Sequence, residues 1–431
     1  MSLCGLHILE RIHEMCILFC LMRLEKGESL PMYLLFVKKR KTLLLYMLAL
    51  LCVFAWGTLL WEIPKDIYVT KDQELSLEES IPVDFKQEDV QAVFLDRWNN
   101  TYEVVCQFLG FIPVKTVTVH VVESQEVYPG GQTVGILLQT DGIFVVDTQK
   151  LESVSGEMTD PTEGLIKSGD YIVAVNGMDV TNKEELTESI SNSKGDPIEM
   201  TLRRNGDIKT VNVTPIKTQD HSYKLGIWVK DDVAGVGTIS FVDEEGNYGA
   251  LGHGISSLDG KNLMELSKGS LYETEIAAIN KGERGTPGSL VGILYFQKGS
   301  YLGTVSTNKQ VGIFGDLKDT EKINLSLDSI PVGYKQEVKV GPATILCSAD
   351  GEVKSYDINI EDISMNAVQI NKSMLIRVTD EKLLGMTGGI IQGLSGSPII
   401  QDGKLVGAVT HVLVNDPTRG YGIFIEEMLN Q

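Results

Sequence analysis

Nineteen consecutive residues, Leu43–Trp61, carry no charge. A helix rises about 1.5 Å per residue, so such a run matches the apolar thickness of a bilayer and reads as a transmembrane segment. It divides the chain into a leading segment, 1–42, an anchor, 43–61, and a large body. The basic cluster Lys38-Lys39-Arg40-Lys41 precedes the run, and Glu62 and an acidic stretch follow it. The positive-inside rule then places residues 1–41 in the cytoplasm and the body outside, as a single-pass membrane protein. A cleaved signal peptide is the rival reading. The run is long for one and has no small-x-small site near its C-terminal end, so an uncleaved anchor is expected. Within 1–31, the apolar stretch Met15–Met22 is too short to span, and Met32 opens a more ordinary basic-then-apolar leader. The translation start stays open between Met1 and Met32.

The formal charge of the 431 residues is −20, yet residues 1–41 hold seven Lys or Arg against four Asp or Glu, which leaves −23 on the remainder. Nucleic acid is therefore excluded as a partner of the body. The length allows two or three domains with full cores. Four of the six cysteines, Cys4, Cys16, Cys20 and Cys52, fall in the leader or anchor. Cys106 and Cys347 have no zinc or redox spacing, and two buried free thiols are expected rather than one disulfide.

The body opens with a polar, acidic stretch, 62–101, that reads as a stalk, followed by a small β segment, 102–126. Between 127 and 217 a turn, a strand and an Asn-Gly hairpin turn are joined in Gly169-Asp170-Tyr171-Ile172-Val173-Ala174-Val175-Asn176-Gly177. A polar helix at Lys183–Ser193 and strands at Ile198–Arg203 and Asp207–Pro215 follow. This series resembles a PDZ domain of the bacterial protease type, in which a glycine-containing loop before a strand captures a peptide C-terminus. The loop expected to do so holds Gly130, Gly131, Val134, Gly135 and Ile136. A small β-sandwich that merely packs on its neighbour is the alternative.

From 222 to 431 short β-type runs alternate with glycines and few runs have helical periodicity, so this region reads as one closed β structure or a pair of barrels. Its chemistry centres on Gly393-Leu394-Ser395-Gly396-Ser397-Pro398. A serine between two glycines, ahead of a proline and flanked by apolar runs, is a tight turn that presents a hydroxyl. The Gly393 and Ser395 amides are then available to a developing oxyanion. A hydroxyl nucleophile needs a base, and histidine is the usual one. His253, in Gly249-Ala250-Leu251-Gly252-His253-Gly254, lies at a glycine-broken strand end where packing gives no reason for a polar ring; His411, in an apolar strand, reads as a core or rim histidine. An orienting carboxylate is sought among Asp380, Asp316 and Asp259, and spacing does not choose.

Taken with Gly226-Ile227-Trp228-Val229-Lys230-Asp231, Ala234-Gly235-Val236-Gly237-Thr238, Ala250-Leu251-Gly252-His253 and Thr387–Pro398, the domain order closely resembles that of the stage IV sporulation protein B peptidases of endospore-forming bacteria. The resemblance covers about residues 102–431. It implies a mainly β chain whose C-terminal part is a chymotrypsin-like double β-barrel serine peptidase, with Ser395 as nucleophile, His253 as base and Asp380 as orienting acid. It implies no cofactor and no metal. The partners it implies are the protein itself, through self-cleavage, and a membrane-bound sporulation regulator. Cleavage of that regulator would lead to activation of the late mother-cell sigma factor, and the enzyme would work in the space between the membranes around the forespore. A general extracytoplasmic quality-control protease and a non-catalytic peptide-binding scaffold are the alternatives.

Overall fold

The structure is a computed structural model that describes residues 30–70, 83–85, 100–256, 263–323 and 328–431. Two units are distinct, one ending at Glu62 and one running from Ile63 to Gln431. Residues 1–29, with the start at Met1, and the candidate acid Asp259 lie outside the described residues.

Helix α1, Leu30–Glu62, is the first unit. Its segment Thr42–Glu62 is long and apolar enough to cross a membrane. Leu43, Leu44, Val53 and Phe54 all stand exposed on it. A helix apolar on every side suits a surrounding of lipid rather than water.

In the second unit, Asp66–Thr70 pairs in parallel with Ile112–Val122, which pairs antiparallel with Thr101–Phe108; Val83–Phe85 forms the far edge. Alternation on these strands buries Val104, Val117 and Val119. The stretch 62–101, expected to be a stalk, therefore supplies two strands of this sheet, while 71–82 and 86–99 lie outside the described residues. Polarity concealed the first of these strands, whose burial alternates residue by residue.

Two barrels follow. The first contains β1 (Thr133–Thr148), β2 (Ile227–Val242), β3 (Asn247–Ala250), β4 (Leu266–Tyr272), β5 (Tyr301–Val305) and β6 (Gly312–Asp316), in the order β5-β4-β1-β2-β3-β6. The ring is completed where the Ser306 amide donates to Phe314 O and the Lys318 amide to Leu302 O, each at 2.8 Å. Inward residues Val134, Ile136, Leu138, Ile239, Leu271 and Ile313 fill it. The second is a closed barrel of β7 (Gly341–Cys347), β8 (Lys354–Ile363), β9 (Met374–Val378), β10 (Pro398–Gln401), β11 (Lys404–Val412) and β12 (Arg419–Phe424). Ile345, Ile358, Ile376, Val406 and Phe424 are among its core. Barrels of this size are packed solid by side chains, so a ligand has room only between them or at their rims.

Cys106 and Cys347 are both free and buried. Burial pushes the Cys106 thiol up to about 11 and the Cys347 thiol to about 12, which keeps both unreactive.

The 127–217 boundary does not hold. Strands β1 and β2 are shared: Leu138 pairs with Val233 and Gln139 with Asp232 in the barrel, while beyond them Phe144 pairs with Lys230 and Thr148 with Ile227 in the part of the same sheet that extends past the barrel. That part adds Tyr171–Val175, Ile198–Arg204 and Asp207–Val213. It is covered by α2 (Lys183–Asn192), which is capped by the Asn182 side chain and buries Leu186 and Ile190. The strands and helix between Gln139 and Asp232 thus form a unit inserted between two staves of the first barrel. Glycines suggested a loop at 130–136, but from Thr133 onward the inward Val134, Ile136 and Leu138 make it a barrel strand.

Candidate active site

Ser395 lies in the turn that enters β10. The turn is tied to the second barrel by Leu394 N–H to Ile391 O (3.1 Å), Ser397 N–H to Leu394 O (3.0 Å) and Gly396 N–H to Val409 O (2.7 Å), and Leu394 is fully buried in that barrel's core. The first barrel grips it from the other side through one residue of β2. The Thr238 amide donates to Ser395 O at 3.0 Å, and the Thr238 hydroxyl donates to Gly393 O at 2.8 Å. A hairpin of the first half, Thr274–Asn280 with Ser289–Leu294, also reaches across: Leu290 N–H donates to Gln392 O and Gln392 N–H to Gly288 O. Gly396 sits at φ +96°, where a Cβ would come within 2.0 Å of Thr238 O and 2.5 Å of Leu251 N. Only glycine allows this approach.

The carbonyls of Gly393 and Ser395 are thus both held by Thr238. Among the described residues their amides donate to no backbone or side-chain acceptor. Gly393 is at φ +102°. Two amides of one turn left unpaired beside a hydroxyl are the donors that an anionic oxygen formed at that hydroxyl would need. The Ser395 hydroxyl itself donates to Thr410 O at 2.7 Å.

His253 follows β3 from the first barrel. Leu251 and Gly252, at φ +71° and +67°, turn the chain so that the ring enters the cleft between the barrels. Its Nδ1 lies 3.0 Å from Gly254 O. A carbonyl only accepts, so Nδ1 carries the hydrogen and the Nε2 lone pair is free to take a proton. Burial holds the imidazole below its ordinary pKa, partly offset by the bond to Gly254.

Both residues line one cleft of about 460 Å³, together with Ile136, Val236, Ile391, Val412 and His411. No Asp, Glu, Lys or Arg is among its lining residues. His411, expected to be a core or rim residue, packs on His253 in a tilted contact, with ring centroids 4.8 Å apart and planes at 38°. Its imidazole is pushed down to about 4, by burial first and then by His253 and Lys372.

Asp380 is not brought to the imidazole. It caps α3 (Glu381–Thr387), accepting at one carboxylate oxygen from Lys382 N–H (2.9 Å) and Leu383 N–H (3.0 Å). Asp-x-x before a helical run is a capping pattern, and that signal was legible. Asp316 lies at the end of β6, exposed and near the Thr304 and Ser306 hydroxyls. Of the expected peptide-binding residues, Val134 and Ile136 are buried in the first barrel's core, and Gly130 and Gly131 donate to Ser240 O and Ile239 O of β2; Gly135 pairs with Val236. None faces a PDZ groove. Thr238 and Thr410 were not foreseen, because they meet the Ser395 turn only through the fold; the Gly254 carbonyl was not foreseen, because a main-chain acceptor next to His253 leaves no mark in residue type. Among the described residues no group of three or more His, Cys, Asp or Glu is placed to hold a metal ion.

Residues 221–429 match the family model described as SpoIVB peptidase S55, and residues 138–218 match that of the Tricorn protease PDZ domain. Among curated proteins, the putative zinc metalloprotease LL2128 of Lactococcus lactis is 40% identical over 62 residues, and the match spans 14% of this chain and 14% of that protein. Among solved structures, the PDZ domain of an SdrC-like protein of Listeria monocytogenes is 17% identical and covers 21% of this chain and 90% of its own, with a TM-score of 0.18. The active form of the Rv3671c protease of M. tuberculosis is 16% identical over 47% of this chain and 73% of its own, with a TM-score of 0.26. The HtrA-type protease AlgW with a decapeptide is 9% identical over 70% and 63%, with a TM-score of 0.29.

Proposed function

The chain belongs to the PDZ-containing SpoIVB peptidase S55 family, and we propose that it is a serine endopeptidase in which Ser395 is the nucleophile and His253 the general base. The observation that carries this is the convergence, in one cleft between two barrels, of the Ser395 hydroxyl, a histidine with Nε2 free and two unpaired amides. Ser395 would turn from Thr410 O to Nε2, lose its proton there and attack the scissile carbonyl. The Gly393 and Ser395 amides would receive the oxyanion, and His253 would return the proton to the leaving amine. Gly254 O, in place of Asp380, fixes the tautomer. A main-chain carbonyl does this without charge, which suits a buried ring.

The peptide-binding reading moves with the domain border. Ile227 and Val229 pack with Leu186 and Ile190 of α2, the Asp231 carboxylate accepts from Lys183 N–H at 2.9 Å, and Gly226 before this strand is at φ +70°. A chain end captured beside α2 next to Ile227–Asp231 would extend the sheet. The anchor would keep residues 1–41 in the cytoplasm and the peptidase outside, in the forespore's intermembrane space. Self-cleavage and cleavage of a membrane-bound regulator of the late mother-cell sigma factor are proposed on the family's name.

Self-cleavage of the full chain tests the site. Ser395→Ala and His253→Ala are expected to abolish it, and Asp380→Asn, which keeps a good helix cap, to leave it within about twofold. A Ser395→Ala protein that still processes itself ends the peptidase reading. Inactive Asp380→Asn with normal stability would restore the carboxylate.

A further inference from the structure

Thr410 and His411 interrupt the pairing of β11 with β12: Val409 faces Gly422 and Val412 faces Gly420, so two residues of β11 oppose one of β12. Such a bulge re-aims a side chain. Here it turns the Thr410 carbonyl to Ser395 and the His411 ring into the cleft, against the face of His253. Close by, Gly420 admits the displaced strand, since a Cβ there would lie 2.6 Å from His411 O.

The ring packs on His253 but leaves a polar atom without a partner. His411 Nδ1 is buried and, among the described residues, has no hydrogen-bond partner. His253 cannot supply one at its own Nδ1, which is bonded to Gly254 O. The cleft around it holds no Asp, Glu, Lys or Arg, and most of its side chains, such as Val236, Ile390, Ile391 and Val412, are aliphatic. A buried polar atom left unpaired is destabilising until a ligand satisfies it, and a binding site lined by apolar groups fixes its ligand through a few placed polar ones.

We propose that His411 is a substrate-binding residue whose Nδ1 pairs with the main chain of an extended, apolar peptide laid in the cleft beside Ser395. The proposal rests on the serine peptidase reading and adds to it the class of substrate: a polypeptide segment with aliphatic side chains next to the scissile bond, held by its backbone. The nitrogen stays neutral across the physiological range, because burial and His253 oppose its protonation. It therefore adds no charge next to the base.

Two covalent probes of Ser395 separate this contact from the chemistry. In a tripeptidyl diphenyl phosphonate ending in valine, Ser395 Oγ bonds to phosphorus, phenoxide leaves, and the hydroxyl proton passes through His253 Nε2 to the phenoxide. In an alkyl fluorophosphonate the same step releases fluoride, and the probe has no peptide backbone. In the full chain, His411→Phe keeps a ring against His253 but removes the nitrogen. It is expected to slow labelling by the peptidyl probe about tenfold while labelling by the alkyl probe stays within about twofold. His411→Gln, which restores a polar atom, is expected to recover most of the peptidyl rate. Equal rates with both probes in His411→Phe overturn the proposal. So does an equal fall with both, which would mean that the ring only supports His253. If wild type takes up neither probe, or Ser395→Ala takes up either, the peptidase reading itself fails.

Discussion

At the scale of single residues, the site is an uncharged one. His253 faces a carbonyl and another imidazole, and burial lowers its pKa. A general base works only when unprotonated, so the acid limb of kcat/KM follows the free enzyme's His253. With the pKa below the ordinary 6.5, the acid limb of activity is expected to be centred below pH 6.5. A pH series of labelling by the alkyl fluorophosphonate reads this directly, and a limb centred above 6.5 would contradict it. Stability moves in the same sense. The unfolded chain binds protons on these histidines as pH drops through about 6.5, whereas His411 resists until about 4, so stability is lost progressively between those values. Ser395 and His253 were legible because glycines bracket them and no packing reason accounts for either. Asp380 was read for its family position. Its local pattern, an Asp three residues before buried Leu383, described its part in this structure better.

At the scale of elements, β2 does the most. Read in sequence, Gly226–Val229 and Ala234–Val242 look like two strands, because Asp231 and Asp232 interrupt the apolar pattern. The structure makes one strand of 16 residues, Ile227–Val242, and the two aspartates fall at the register shift where its pairing with β1 passes from the inserted unit to the barrel. Its far half carries Thr238, which holds both carbonyls of the Ser395 turn. The contact is possible only because Gly396 has no side chain. Gly396→Ala should therefore act on the junction of the barrels: displacement of Thr238 and Leu251, labelling of Ser395 reduced by at least about 100-fold, and a loss of several kcal/mol in stability from strained backbone plus steric overlap. Gly403→Ala is the matched control. Gly403 has φ +76° with open space around it, so the change should cost about 1–2 kcal/mol and leave labelling intact. Thermal melting and probe uptake of both variants decide it. Equal behaviour of the two would show that Gly396 is kept for its backbone angle alone.

At the scale of the molecule, the barrels and the inserted unit share strands, and this decides where the chain can be cut. The count of short β runs after residue 222 made a barrel pair legible, and Gly169–Gly177 made the PDZ unit legible. The insertion was not, since nothing in a local pattern says that one strand serves both an inserted unit and a barrel. Removing 127–217, the border suggested by sequence, takes away all of β1, including Val134, Ile136 and Leu138 from the first barrel's core. That deletion is expected to leave an unfolded protein. Gln139 and Asp232, however, lie opposite each other on neighbouring strands. Joining them through Asn-Gly in place of 140–231 converts the shared strands into an ordinary hairpin and leaves both barrels whole. This shortened chain is expected to melt cooperatively and to take up the alkyl fluorophosphonate at Ser395 within about threefold of the parent rate. A folded protein that fails to label would mean that Thr238 holds the Ser395 turn correctly only when the same strand, 7 to 11 residues earlier, is pinned beside α2 through Ile227 and Asp231. The peptide-binding edge and the nucleophile turn would then be two ends of one rigid element, and a ligand at the first would act on the second through the strand itself.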